Sequence, residues 1–254
     1  MSLLETINEL GTEKTELLYS EEVNGEQLTV RQYQNYRWLS VGGEMIQSLM
    51  DLEQPAQLLL PNLVAMLAVL ELVDRPVTLL NLGAGGGAME RYFRQVQPDM
   101  TITSIESNEK IIKLAERFFD MNPEVFILDS AEHFLSVSEQ SYDIILVDIY
   151  SDERQPACLY EPGFHKSLAA ALNMGGAIAM NLLPHTEEEL LRVLRPLNEY
   201  VSCLLLYMVP NHDNVIVYAL KQDSVDQEVF GRRLEKISEQ GLELQVIAQA
   251  HQSG

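Results

Sequence analysis

The segment from residue 77 to residue 182 alternates short apolar runs with amphipathic runs, and this alternation constrains the fold more than any other feature. The predicted strands are VTLLNLG, TITSIES, EVFILD, YDIILVD and GAIAMNLL. The runs between them carry apolar residues at helical spacing. Strands that alternate with helices form a doubly wound, mainly parallel sheet, whose ligands bind at the carboxyl ends of the strands.

The flanking segments have a different pattern. Residues 17–48 contain short strand-like runs separated by turn residues, which predicts a small antiparallel β region. One helix is expected at about 55–73, and residues 203–221 predict two strands joined by the polar turn NHDN. An antiparallel hairpin that closes a parallel sheet resembles the Rossmann-like class I S-adenosylmethionine-dependent fold. We therefore expect an N-terminal β region at 1–54 and a Rossmann-like catalytic domain at 55–254, with a terminal helix in its last residues.

Composition excludes several classes of protein. The chain is 46% hydrophobic with a formal net charge of −21, which predicts a globular protein that does not bind nucleic acid. The charge either favours a cationic substrate or serves solubility alone. No apolar run is long enough for a membrane span and no basic leader is visible, so a cytoplasmic location without membrane contact is expected. Two isolated cysteines predict neither disulfides nor a metal site.

The run Gly83 to Gly87 lies between a predicted strand and a predicted helix. Its glycines fit both the dinucleotide fingerprint and the S-adenosylmethionine loop, because either ligand must approach the backbone closely at a sharp turn. We predict that Gly83, Gly85 and Gly87 line a nucleoside-type cofactor. The loop alone does not decide which one.

Acidic residues follow the next three predicted strands. Glu106 lies where a carboxylate accepts hydrogen bonds from both ribose hydroxyls. Asp129 and Ser130 suit a hydrogen bond from an adenine amino group, which favours S-adenosylmethionine or its decarboxylated form over NAD. Asp148 is placed to face a reactive sulfonium and to take a proton from an attacking amine.

These motifs together resemble the spermidine synthase family, the polyamine aminopropyltransferases, over residues 24–190. The matching segments, in order along the chain, are NGEQLTV, GGEMIQS, NLGAGGG, SIESNEK, LDSAEHFL and YDIILVDIYSDERQPACLYEPGF. The resemblance places Gln27 at the family's nucleoside-contacting glutamine and Gln47 at a second family glutamine. It implies decarboxylated S-adenosylmethionine as aminopropyl donor, a small-molecule amine as acceptor and a homodimer or larger homo-oligomer.

The chain departs from the family pattern at three places. Gly86 replaces the aspartate that binds the amino group of the aminopropyl chain, and Ala56 replaces the catalytic tyrosine, although Gln57 keeps the next position. In the acidic loop the second acid is displaced to Asp152. Tyr150 and Asp152, with Glu153 and Glu161, are candidates to rebuild an amine pocket, whereas His165, His185 and His212 are interpreted as structural.

Three functions are therefore open at this point. The first is aminopropyl transfer to a diamine or polyamine, with Asp148 as the base. The second is methylation of a small molecule with intact S-adenosylmethionine, which the missing carboxylate at Gly86 favours. The third is a family member that has lost catalysis, which Ala56 and the altered acidic loop favour.

Overall fold

A computed structural model describes residues 3–10, 14–23, 25–42, 45–150, 156–222 and 227–249. Its helices and strands form two sheets with helices packed around the larger one. Within the described residues, no helix is long and apolar enough to cross a membrane.

The N-terminal part of the chain forms a four-stranded antiparallel sheet in the order β1-β2-β3-β4. A short helix α1 (Leu3–Glu9) precedes it. The four strands are β1 (Glu16–Val23), β2 (Glu26–Tyr33), β3 (Tyr36–Val41) and β4 (Ile46–Asp51). The antiparallel β region is confirmed, with a fourth strand and a helix that the turn signals did not indicate.

The second sheet has eight strands in the order β12-β10-β11-β9-β8-β5-β6-β7. Strands β9, β8, β5, β6 and β7 pair in parallel, while β11, β10 and β12 pair antiparallel. The parallel strands are β5 (Thr78–Leu82), β6 (Thr101–Glu106), β7 (Phe126–Leu128), β8 (Tyr142–Val147) and β9 (Leu172–Leu182). The antiparallel strands are β10 (Cys203–Met208), β11 (Val215–Leu220) and β12 (Gln245–Gln249). This order and these directions are those of the Rossmann-like class I fold, as expected.

Helices cover both faces of this sheet, which is why its central strands are apolar on both sides. The helices are α2 (Pro61–Met66), α3 (Val69–Leu72), α4 (Ala88–Val96), α5 (Glu109–Phe118), α6 (Ala131–Val137), α7 (Pro162–Ala170), α8 (Glu187–Asn198) and α9 (Gln227–Glu239). Side chains of Asn108, Ser130 and Thr186 cap the starts of α5, α6 and α8.

Two sequence predictions about the elements are wrong in detail. The helix expected at about 55–73, with Pro55 or Pro61 at its start, begins at Pro61 but is divided into α2 and α3. The run GFHKSLAAALNMGG predicts a helix that ends at the glycine pair Gly175-Gly176, but this pair lies inside β9, where a register shift against β8 occurs. Gly175 has φ +86°, so its left-handed backbone accommodates that irregularity.

A buried guanidinium joins three segments beside the glycine loop. Arg91 on α4 is 2% exposed and donates to the carbonyl oxygens of Pro55 (2.8 Å), Gly86 (2.5 Å) and Phe119 (2.8 Å). Burial lowers its pKa to about 10, so the side chain is still a cation at neutral pH. Arg91 therefore fixes the glycine loop to the segment before α2 and to the end of α5.

Candidate functional site

A cavity of about 450 Å³ opens at the carboxyl ends of β5, β6, β8 and β9. Its floor contains polar side chains from these four strand ends: Asn81, Glu106, Asp148 and Asn181. The glycine loop, the start of β4, helix α2 and the turn between β10 and β11 form the walls. The position follows the rule for open parallel sheets, in which adjacent strand ends bring residues distant in sequence together.

The glycine loop has no unpaired backbone N–H group between Gly83 and Gly87. The N–H groups of Gly83 and Ala84 donate to Ile105 O, and that of Gly87 donates to Ala84 O, each at 3.0 Å. Gly85 N–H donates to Glu106 Oε2 at 2.9 Å, and Gly86 N–H donates to Ser48 Oγ at 2.8 Å. A loop that cradles a phosphate needs free N–H groups, so this one is not arranged to hold an anion.

Close contacts explain why the loop must be glycine. A Cβ at Gly83 would lie 2.2 Å from the backbone oxygen of Asp148, and Gly83 has φ +88°. A Cβ at Gly86 would lie 2.6 Å from Ser48 Oγ. Gly87 begins α4 with φ +76°, and a Cβ there would meet Met121 at 2.5 Å. The carboxylate missing at Gly86 is therefore excluded by the side chain of Ser48 on β4.

Restoring that carboxylate is expected to destabilise the protein. We expect Gly86→Asp to lower the free energy of unfolding by about 1–3 kcal/mol, because the new Cβ overpacks Ser48. Adding Ser48→Gly removes both clashing atoms but also the acceptor of the buried Gly86 N–H group, so it should recover only part of the loss. Urea denaturation measures both effects.

Gly163→Asp is the matched control, since a Cβ at Gly163 meets no atom within 4 Å. Its stability should change by less than about 0.5 kcal/mol. An unchanged midpoint for Gly86→Asp would show that Ser48 does not exclude a side chain at that position.

Glu106 ends β6 on the cavity floor and is 7% exposed. Its two carboxylate oxygens accept the N–H groups of Gly85 and Asn108, both at 2.9 Å. Burial raises its pKa, and these hydrogen bonds oppose the rise. Each oxygen keeps a lone pair for one more donor, which fits the predicted pair of ribose hydroxyls.

Asp148 follows the end of β8, deep in the cavity. Its Oδ1 accepts a hydrogen bond from Asn181 Nδ2 at 2.8 Å. Burial raises the pKa of Asp148 to about 6, although the Asn181 hydrogen bond acts in the opposite direction. The carboxylate is therefore ionised at neutral pH yet basic enough to accept a proton, as a general base must be.

Tyr150 also lines the cavity. Its hydroxyl is buried, and no described residue forms a well-aligned hydrogen bond with it. Burial, followed by the charge of Asp148, raises the pKa of Tyr150 well above its usual value. The hydroxyl is therefore a neutral group with hydrogen-bonding capacity left for a ligand.

The other predicted residues that the structure describes lie outside the lining of this cavity, including Gly87, which caps the start of α4. Gln27 is exposed on β2 and donates to Ser20 Oγ at 2.7 Å, and Gln57 is exposed before α2. Asp129 and Ser130 follow β7, beside the strand end that carries Glu106, where Asp129 contacts His133 Nδ1 at 2.8 Å. Asp152 lies outside the described residues. The ligand contacts assigned to these residues stay predictions.

Sequence reasoning gave no role to several residues that the fold brings into the cavity. Ser48, Asn181 and the turn Asn211–Asn214, which includes His212, all line it. Gln47, noted only as a family glutamine, has a buried Oε1 without a partner among the described residues. Runs such as GGEMIQS and NHDN carry no catalytic signature, so only the tertiary fold reveals them.

The cavity favours cations. Three carboxylates line it, those of Glu106, Asp148 and Asp213, and the described part of the lining includes no lysine or arginine. Across the described residues, no group of three or more His, Cys, Asp and Glu side chains could hold a metal ion. An acidic, partly enclosed pocket attracts positively charged ligands and disfavours anions.

The sheet order and the cavity define a protein with the class I S-adenosylmethionine-type fold. No family model matches the chain. The polyamine aminopropyltransferase of Neisseria meningitidis is 27% identical over 212 residues, 80% of this chain and 80% of the relative. That of Chromobacterium violaceum is 29% identical over 192 residues, 74% of each chain. The sequence resemblance to the polyamine aminopropyltransferases is therefore confirmed over most of the chain.

Solved structures agree on the fold. A probable spermidine synthase from Corynebacterium glutamicum superposes with a TM-score of 0.74 at 17% identity, covering 93% of this chain and 96% of the other. A spermidine synthase in complex with the transition state analogue AdoDATO gives a TM-score of 0.65 at 13% identity, covering 91% and 82%. Human methyltransferase-like protein 13 in complex with SAH gives 0.60 at 18% identity, covering 69% and 90%. The fold is thus shared by aminopropyltransferases and methyltransferases.

Proposed function

We propose that this chain transfers an aminopropyl group from decarboxylated S-adenosylmethionine to a small amine. The relatives named polyamine aminopropyltransferase support the reaction class. The observation that carries the choice of donor is the glycine loop, whose five N–H groups are all donated within the protein. With no cationic side chain in the described lining, the cavity offers little to a donor carboxylate.

The cavity offers groups suited to the ribose and the amino tail of the donor, and the residues proposed for the adenine lie beyond its lining. Glu106 accepts the ribose hydroxyls, and Gly83 and Gly85 let the nucleoside lie against the backbone. Asp129 and Ser130, beyond the next strand end, are proposed to meet the adenine, with Gln27 as a further nucleoside contact. Gln47 Oε1, buried without a described partner, is a free acceptor suited to an ammonium group.

Asp148 acts as the general base in this scheme. An alkyl ammonium has a pKa near 10, so the acceptor must lose a proton before its nitrogen lone pair is available. Asp148 takes this proton as the nitrogen bonds to the carbon beside sulfur, and the C–S bond breaks with its electron pair going to sulfur. The sulfonium supplies a good leaving group, so positioning and deprotonation are the work left to the protein. Tyr150, Asp152 and Gln57 are proposed to hold the acceptor.

A calorimetric comparison tests this choice of donor. Decarboxylated S-adenosylmethionine is expected to bind at least about tenfold tighter than the intact form, a difference of about 1.4 kcal/mol. Methylthioadenosine, which has the nucleoside without either tail, is the control for the nucleoside site. Tighter binding of the intact form would support methyl transfer to a small molecule instead, and binding of neither form would support the loss of catalysis. A cytoplasmic location and a homodimer stay predictions.

A further inference from the structure

The turn between β10 and β11 reaches the proposed base through a chain of two hydrogen bonds. Asn214 Nδ2 donates to Asn181 Oδ1 at 3.0 Å. Asn181 Nδ2 in turn donates to Asp148 Oδ1 at 2.8 Å. All three residues line the cavity, and they come from the β10–β11 turn, β9 and the end of β8.

The direction of this chain is not arbitrary. An asparagine amide has one donor end and one acceptor end, and either end can face a given neighbour if nothing selects between them. Because Asn214 donates to Asn181 Oδ1, the amino end of Asn181 must face Asp148. The reverse orientation would place an amide oxygen against a carboxylate and leave two acceptors in contact.

We propose that Asn214 is a positioning residue for Asp148, which it orients through the amide of Asn181. The role of Asp148 as a base rests on the proposed function, whereas the hydrogen bonds are independent of it. With Oδ1 held by Asn181, the carboxylate has a fixed orientation and Oδ2 accepts the proton of the amine. Asn214 does not itself take part in bond making.

The protonation of Asp148 depends on the groups around it in the cavity. Asp148 is half-buried in the lining of the cavity, where burial raises its pKa to about 6 and the Asn181 hydrogen bond limits the rise. The other titratable groups that line the same cavity are Glu106, Tyr150, His212 and Asp213. Tyr150 lies close to both asparagine amides, so a reversed Asn181 would also alter its surroundings.

Asn214→Ala and Asn214→Asp are the decisive variants. Alanine removes the donor to Asn181 Oδ1, so the amide loses one of the two partners that hold it against Asp148. Aspartate has the same shape but repels Asn181 Oδ1, and its own charge adds to the effect on Asp148. We expect the pKa of Asp148 to rise in both variants, more in Asn214→Asp, as measured by carbon-13 NMR titration of aspartate-labelled protein. Asn214→Ser keeps a hydroxyl donor and should restore much of the original pKa.

The kinetic readout follows the same logic. The acidic limb of the profile of kcat/KM against pH should move to higher pH, with kcat/KM at pH 6 about 3- to 10-fold lower in Asn214→Ala, as expected for losing one hydrogen bond near a charge. The calorimetric affinity for methylthioadenosine should stay within about twofold of wild type, because the nucleoside contacts are untouched.

Asn173→Ala is the matched control. Asn173 on the same strand β9 donates to Asp143 Oδ1 at 2.9 Å, an equivalent asparagine–aspartate pair at the opposite end of the sheet. Its loss should leave the Asp148 titration unmoved. An unchanged Asp148 pKa in folded Asn214→Ala and Asn214→Asp protein would overturn the positioning role. If the Asp148 pKa rises in these variants but the wild-type protein does not catalyse aminopropyl transfer, the positioning role of Asn214 stands and the proposed function is rejected.

Discussion

Asp148→Asn is expected to lower kcat by about 10²- to 10⁴-fold, the usual contribution of a positioned general base. The substituted amide keeps the size of the side chain but cannot accept the amine proton. Because the proposed nucleoside contacts are those of Glu106 and the glycine loop, the affinity for the donor should change little. Single-turnover kinetics with the donor and a panel of diamines measures the loss directly.

The same residue predicts the pH dependence of the wild-type enzyme. The pKa of Asp148 is raised to about 6, and only its ionised form is a base. The value of kcat/KM should therefore be constant above that pH and fall as the pH drops through about 6. In the Asp148→Asn protein, this limb should be absent from the residual activity.

Asp143→Asn provides the control for the loss of a carboxylate. Asp143 is on the same strand β8 but at its amino end, where it accepts hydrogen bonds from Val77, Thr78 and Asn173. This variant should lose some stability while keeping its turnover number when folded. If the Asp148→Asn protein kept a turnover number near that of the wild type, Asp148 would not be the general base.

Arg91→Ala is expected to lower the free energy of unfolding by about 3–5 kcal/mol. The substitution leaves the carbonyl oxygens of Pro55, Gly86 and Phe119 without their donor and opens a void beside the glycine loop. Lysine at this position keeps the charge but cannot reach three separate carbonyls with one ammonium group, so Arg91→Lys should recover only part of the loss.

Arg94→Ala, on the same helix, is the matched control. Arg94 is exposed and pairs with Asp120 at the surface, at 3.1 Å. Such pairs contribute about 0–1 kcal/mol, so the midpoint of urea denaturation should hardly move. If Arg91→Ala lowered the free energy of unfolding no more than Arg94→Ala does, the three carbonyl contacts would not be stabilising the loop.

The architecture of the larger sheet was predictable because each strand and turn is marked by residues that are adjacent in the sequence. The strands around Leu80, Ile145 and Ile178 are continuous apolar runs, and the turn at 211–214 separates two more of them. Strand β12 was missed because it is a short edge strand after a helix. The break between α2 and α3 was missed because the apolar pattern continues through it.

The site was only partly predictable, because many of its contacts join residues that are distant in the sequence. Glu106 and Asp148 were found because a strand end followed by an acid is a local signal. The partner of Gly86 is Ser48, which is 38 residues away, and the partner of Asn181 is Asn214 in a different strand connection. No pattern in the sequence joins such pairs, so the polar contacts that orient the site appear only once the strands are assembled.

The contact between Gly83 and Asp148 has a consequence for how the site can change. A Cβ at Gly83 would lie 2.2 Å from the backbone oxygen of Asp148, so the loop and the end of β8 already touch along their main chains. The distance between the glycine loop and Asp148 is therefore fixed by the backbone of the sheet. The exposed turn at 211–213, in contrast, lines the same cavity. New acceptor preferences can arise there by substitution while the reacting centre keeps its geometry.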